Sequence, residues 1–82
     1  MPYIENAARD RLADTGDAMT TGELNYVLSS CVGLYWENSD KNYQAINDII
    51  GALEGAKLEF YRRVAVPYEN EKMETNGDVY FV

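Results

Sequence analysis

The sequence predicts a mainly α-helical fold: an antiparallel helical hairpin with a long second helix, a short N-terminal helix and β-prone ends. Two observations carry this. Apolar residues recur at spacings of three and four through residues 24–35 and again through residues 43–64, the period of a helix with one apolar face. The ends behave differently, with Tyr3-Ile4 near the start and Val79-Tyr80-Phe81-Val82 at the close, residue types that favour strands.

The elements follow in order. Pro2 disfavours helix at Met1, and Tyr3-Ile4 suits an extended arm. Residues 5–13 hold the helix formers Ala7, Ala8, Arg9, Arg11 and Leu12, a segment marginal by itself. Asp14-Thr15-Gly16-Asp17 reads as a turn. Thr20 opens the first strong helix, with Glu23 placed to reach back as in a capping box. Leu24, Val27, Leu28, Cys31, Leu34 and Tyr35 mark its buried face. It should end near Trp36-Glu37.

Ser39 or Asp40 should cap the long helix, which runs from about Lys41 to Val66. Tyr43, Ile46, Ile50, Leu53, Phe60 and Val64 make its apolar stripe, interrupted by Lys57. At ~1.5 Å per residue the helix spans about 39 Å. The first strong helix is too short to cover it, so the N-terminal helix or another copy of the chain is expected on the overhang. Gly51, Ala52, Gly55 and Ala56 form a smooth strip where a second helix, or a ligand, can approach closely. Pro67 should end or kink the long helix, and it suits the first turn of a new one. Residues 68–75 can form that helix, with Asn76-Gly77 as its stop. The β-prone tail could pair with Tyr3-Ile4, in the same chain or in a neighbour.

Length and composition limit the function. Eighty-two residues make a single domain over 1–82 with a thin core, which oligomerisation often supplements. Cys31 is the one cysteine and there is no histidine. A disulfide framework is therefore excluded, zinc ligation has too few donors, and no Ser-His or Cys-His pair can form within the chain. No phosphate-binding glycine loop or dinucleotide fingerprint occurs, so no cofactor is expected. The net charge of −7 opposes non-specific nucleic-acid binding, although an acidic surface can imitate nucleic acid. No signal peptide and no run near the ~20 apolar residues of a membrane span is present. With an unpaired cysteine, this reads as a cytoplasmic protein that is not an enzyme. An enzyme would need a site built from carboxylates, tyrosines and arginines across subunits.

One segment concentrates candidate ligand residues. Between Lys57 and Tyr68 lie three of the seven basic residues. Lys57, Tyr61, Arg62, Arg63 and Tyr68 would form an anion site edged by aromatics. Arginine forks phosphates and tyrosine stacks on bases while offering a hydroxyl, the pair of features a nucleotide needs. Helix electrostatics explain the same residues: Glu59–Arg63 and Glu54–Lys57 are helical ion pairs, and cations favour a helix C-terminus. Tyrosine and arginine are equally typical of protein interfaces. Glu69, Glu71 and Glu74 read as a solvated face.

Lys57-Leu58-Glu59-Phe60-Tyr61-Arg62-Arg63-Val64, then Val66-Pro67-Tyr68-Glu69, Lys72 and Asn76-Gly77-Asp78-Val79-Tyr80, with Met1-Pro2-Tyr3 and Gly22-Glu23-Leu24-Asn25-Tyr26, resemble a family of small proteins of unknown function from bacteria and tailed phages. Where the family reads Val-Ala-Pro-Tyr-Glu-Asp, this chain has Val64-Ala65-Val66-Pro67-Tyr68-Glu69-Asn70. The resemblance brings no catalytic residue. It implies a role in host takeover or in countering immunity, in the host cytoplasm. Together these readings give a homo-oligomer that sequesters a nucleotide-like anion, or else an acidic inhibitor or adaptor acting on a host protein.

Overall fold

The computed structural model describes residues 1–80. The fold is mainly α, and no strand forms among the described residues. The helices are α1 (Asn6–Thr15), α2 (Thr21–Glu37), α3 (Tyr43–Phe60) and α4 (Val66–Asn76), with a π-helical turn, Tyr61–Ala65, between the last two. The chain divides into two compact units, Met1–Ile46 and one that begins at Asn47. No helix among the described residues is long and apolar enough to cross a membrane.

In the first unit, α1 ends where Gly16 adopts φ 72° and its N–H reaches the Leu12 carbonyl at 2.8 Å. A left-handed residue of this kind is cheap only for glycine. α1 then docks on α2. Leu12 is buried, the Arg9 guanidinium lies 5.1 Å from the Tyr26 ring centre, and Arg11 pairs with Glu23. The N-terminal arm also reaches α2. A Cβ on Gly22 would lie 3.1 Å from the Met1 carbonyl oxygen and 3.6 Å from the Ile4 side chain. Gly22 is thus a close-approach glycine, a role its place in a capping sequence did not signal.

Thr20 caps α2 as expected, its hydroxyl accepting from the Glu23 N–H at 3.1 Å. The reciprocal half of the box is displaced by one residue. The Glu23 carboxylate accepts from the Met19 N–H at 3.0 Å and from Arg11, not from the Thr20 N–H. Thr20→Ala should lower stability by about 1 kcal/mol, a fall in melting temperature of roughly 4–8 °C readable by circular dichroism.

The apolar face predicted for α2 is not buried. Leu24, Leu28, Cys31, Leu34 and Tyr35 are exposed, and no residue of α2 is buried. The face turned toward α1 carries Glu23, Tyr26 and Val27 instead, because short polar α1 is held largely by its two arginines. Leu12 and Ala45 are the buried hydrophobic residues among those described.

α3 starts later than its two nominated caps suggest. Asn42 is the cap, its side-chain oxygen accepting from the Ala45 N–H at 2.9 Å. Ser39 is occupied in the preceding turn. Its hydroxyl donates to the Trp36 carbonyl at 2.7 Å and accepts from the Lys41 N–H at 3.1 Å. Lys41 sits at φ 54°, which breaks the helical path before Asn42.

In the second unit Pro67 does not end the helix. The run Tyr43–Asn76 is helical throughout, 34 residues. Proline lacks the N–H owed to the carbonyl one turn back, and its ring presses on that carbonyl. The turn before it widens, so that the Val66 N–H reaches back five residues to the Tyr61 carbonyl. Pro67 then occupies the first turn of α4, where a missing donor costs little. Gly77 closes α4 with its N–H on the Met73 carbonyl at 2.9 Å. Of the predicted β-prone tail, Phe81 and Val82 lie outside the described residues.

Candidate functional site

The five candidate ligand residues lie on the second unit's helix, at and around the π turn, and all are exposed. Tyr61, Arg62 and Arg63 open the turn; Lys57 precedes it by one helical turn and Tyr68 follows Pro67. A helix displays its side chains outward, so clustering here depends on which residues share a face.

Each of the five has an acidic or cationic neighbour on the same helix. Glu59 serves two arginines. It accepts from Arg62 through both oxygens, at 2.8 and 3.0 Å, and lies 3.7 Å from Arg63. Lys57 contacts Glu54 at 3.4 Å. The Tyr61 hydroxyl donates to Glu69 at 3.3 Å. Lys72 stands 5.6 Å from the centre of the Tyr68 ring. The pairs Glu59–Arg63 and Glu54–Lys57 match the helical spacing seen in the sequence. Glu59–Arg62 is stronger in geometry, and spacing alone did not single it out.

Tyr61 and Glu69 are eight residues apart and would not meet on a regular α-helix. A π turn holds roughly one residue more than an α turn, which brings the eighth residue onto the face where the seventh would stand. The wide turn therefore sets the arrangement of this segment. It puts a phenol, two guanidiniums and a second aromatic ring within about two turns, all open to solvent.

These ion pairs are surface pairs, worth ~0–1 kcal/mol each. An incoming phosphate could replace Glu59 as the acceptor for Arg62 and Arg63 at small cost, gaining charge-assisted bonds of its own.

Two concavities lie elsewhere. One, of about 250 Å³, is flanked by α1 and α2 and lined by Arg9, Leu12, Ala13, Tyr26, Val27 and Cys31. The other, of about 370 Å³, lies along α4 and the residues after it, with Glu69, Lys72, Met73 and Tyr80 among its lining. Neither contains Lys57, Tyr61, Arg62, Arg63 or Tyr68. Cys31, expected in the core, is exposed at the edge of the first.

The Glu23 carboxyl is held below the ordinary value of 4.5 by the Arg11 hydrogen bond and then by the Met19 N–H, with desolvation opposing them. A lowered folded-state value stabilises the fold above the ordinary carboxylate range, and this contribution fades as pH falls through the lowered value. Melting temperatures between pH 7 and pH 3 should therefore drop less steeply for Glu23→Gln than for the unaltered chain.

No curated protein and no solved structure matches the chain. A family described as a domain of unknown function, DUF6899, matches residues 1–79. Since that match takes in every helix just described, the chain belongs to the DUF6899 family.

Proposed function

We propose that this protein is a non-enzymatic binding protein that holds a nucleotide-like anionic ligand through Lys57, Tyr61, Arg62, Arg63 and Tyr68, working as a homo-oligomer. The observation that supports this is the π turn on Tyr61, Arg62 and Arg63. Such turns give up regular helical bonding, and they occur frequently at functional sites. Here the turn coincides with the segment where cations and tyrosines are concentrated. Arg62 and Arg63 would fork the phosphate in place of Glu59, and Tyr61 or Tyr68 would stack on the base. The resemblance to phage proteins makes sequestration of a host immune signal in the host cytoplasm the role that fits this chemistry.

A thermal-shift screen against cyclic mono- and dinucleotides and cyclic ADP-ribose isomers tests the reading. Ligand at about 100 times its Kd adds ~2.7 kcal/mol, a rise of roughly 11–22 °C in so small a chain. Arg62→Ala and Arg63→Ala should abolish that rise without changing the mass in solution. A flat screen at high ligand concentration rejects the reading. It would favour an acidic inhibitor or adaptor of a host protein, which the open apolar side chains Leu24, Leu34 and Tyr35 of α2 would suit.

A further inference from the structure

The groove between α1 and α2 holds a cation that has no carboxylate partner among the described residues. The chain has 7 basic residues against 14 acidic ones. Arg11, Lys41, Lys57, Arg62 and Arg63 each sit on a glutamate. Arg9 does not. Its Nε donates to the Ile4 carbonyl at 3.1 Å, and its guanidinium carbon lies 5.1 Å from the Tyr26 ring centre. These two contacts fix the group and leave both terminal nitrogens without a protein acceptor among the described residues. Arg11, two residues on, engages both of its own, on the Asp17 carbonyl and on Glu23. A guanidinium held through Nε and by an aromatic face, with its two-nitrogen fork open, is arranged to take a carboxylate through two parallel bonds.

Arg9 stands on the wall of the concavity of about 250 Å³. Every residue of that wall belongs to the first unit, so the site does not involve the second. Leu12 faces it from α1, and Tyr26, Val27, Ser30 and Cys31 line it from α2. Tyr26 and Ser30, like Val27 and Cys31, are four residues apart and so stand one above the other on α2. Among the described residues no aspartate or glutamate lines the cavity, and Arg9 is its one basic residue, in a chain of net charge −7.

Size and charge limit the occupant. An apolar cavity of about 150 Å³ takes up benzene, so 250 Å³ has room for one ring with a short acid arm. It falls below the roughly 300–1000 Å³ of sites for drug-sized molecules. One cation matches one negative charge. A phosphate monoester, at about −1.5 to −2, would leave charge unpaired against apolar walls, which is costly. We propose that the α1–α2 cavity binds a small monocarboxylate with a single aromatic ring, of the phenylacetate class. Arg9 forks its carboxylate, and the ring packs on Leu12 and Val27. The ligand would tie α1 to α2. The inference takes nothing from the nucleotide reading, which rests on the second unit, and its test uses a different ligand.

Cys31 reports on the site, because it is the one thiol of the chain and is exposed at the cavity's edge. Its alkylation by iodoacetamide, followed by the mass of the intact chain, should slow ~10-fold with phenylacetate at about ten times its Kd, as mass action requires. Phenylacetamide has the same shape without the charge, and its Kd should be at least ~10-fold higher, the loss expected when a bond to a charged group goes. Arg9→Gln should weaken phenylacetate to the same level. Because that variant could also loosen α1, the comparison of acid with amide, made on the unaltered chain, stands without it. No protection by millimolar phenylacetate overturns the proposal. So does equal protection by the amide, which would mean that Arg9 takes no part. Protection by inorganic phosphate as strong as that by phenylacetate also overturns it, by showing an anion held without its ring.

Discussion

Replacing Gly51 and Gly55 together with alanine raises the melting temperature by roughly 8–16 °C. Both glycines lie inside α3, where each costs about 1 kcal/mol relative to alanine because the unfolded chain has more freedom to lose. Among the described residues nothing requires their smallness. A Cβ built on either meets no atom within 4 Å. At 3.6 residues per turn they also stand roughly 100° or more around the helix from Ile50 and Leu53, away from the apolar stripe. Each substitution acts through the helix propensity of its own residue, and neither Cβ meets another atom, so the two effects should add. Calorimetry on the double variant decides the matter. If the pair instead lowers the melting temperature, another helix lies on the strip of Gly51, Ala52, Gly55 and Ala56.

The features legible in the sequence were those decided within one helical turn. Thr20 caps α2 because its hydroxyl needs only an N–H three residues on. Gly16 and Gly77 stop their helices because the backbone there leaves the region open to other residues. The start of α3 was harder. Ser39, Asp40 and Asn42 are all competent caps, and the choice fell to Asn42 through the left-handed turn at Lys41, which composition does not signal. Burial was less legible still. Periodicity shows that Leu24, Leu28 and Tyr35 share a face, but it does not say whether anything lies on that face. The candidate site shows the same division. Glu59–Arg63 follows from spacing, whereas Tyr61–Glu69 depends on a turn of non-standard width. Pro67 marked that place in the sequence as an end or a kink of the long helix. The chain instead stays helical by widening the turn, because Tyr61–Ala65 can redirect their bonds without leaving the helix axis.

Pro67→Ala should raise stability and abolish ligand binding together. Proline inside a helix costs up to ~3 kcal/mol relative to alanine. The π turn and the first-turn placement of Pro67 in α4 recover part of that, so a gain of about 1–2 kcal/mol is expected, or roughly 4–16 °C in melting temperature. With the ring gone, the N–H restored at position 67 can bond to the Arg63 carbonyl and the turn can contract to regular α geometry. Contraction rotates α4 by about one residue, some 100°, relative to α3. Glu69 leaves the Tyr61 hydroxyl, and Tyr68 is carried round the helix onto the side of Tyr61. Lys57, Arg62 and Arg63 keep their charge and exposure. A ligand recognised by charge alone would still bind, whereas one fitted to the arrangement of rings and guanidiniums that the π turn sets would not. The nucleotide-induced shift should thus vanish in Pro67→Ala while the unliganded protein melts higher, and backbone amide shifts across residues 61–69 should report the lost turn. A variant that keeps both the turn and the ligand would show that the wide turn is set by Tyr61–Ala65 themselves, with Pro67 only accommodated by it.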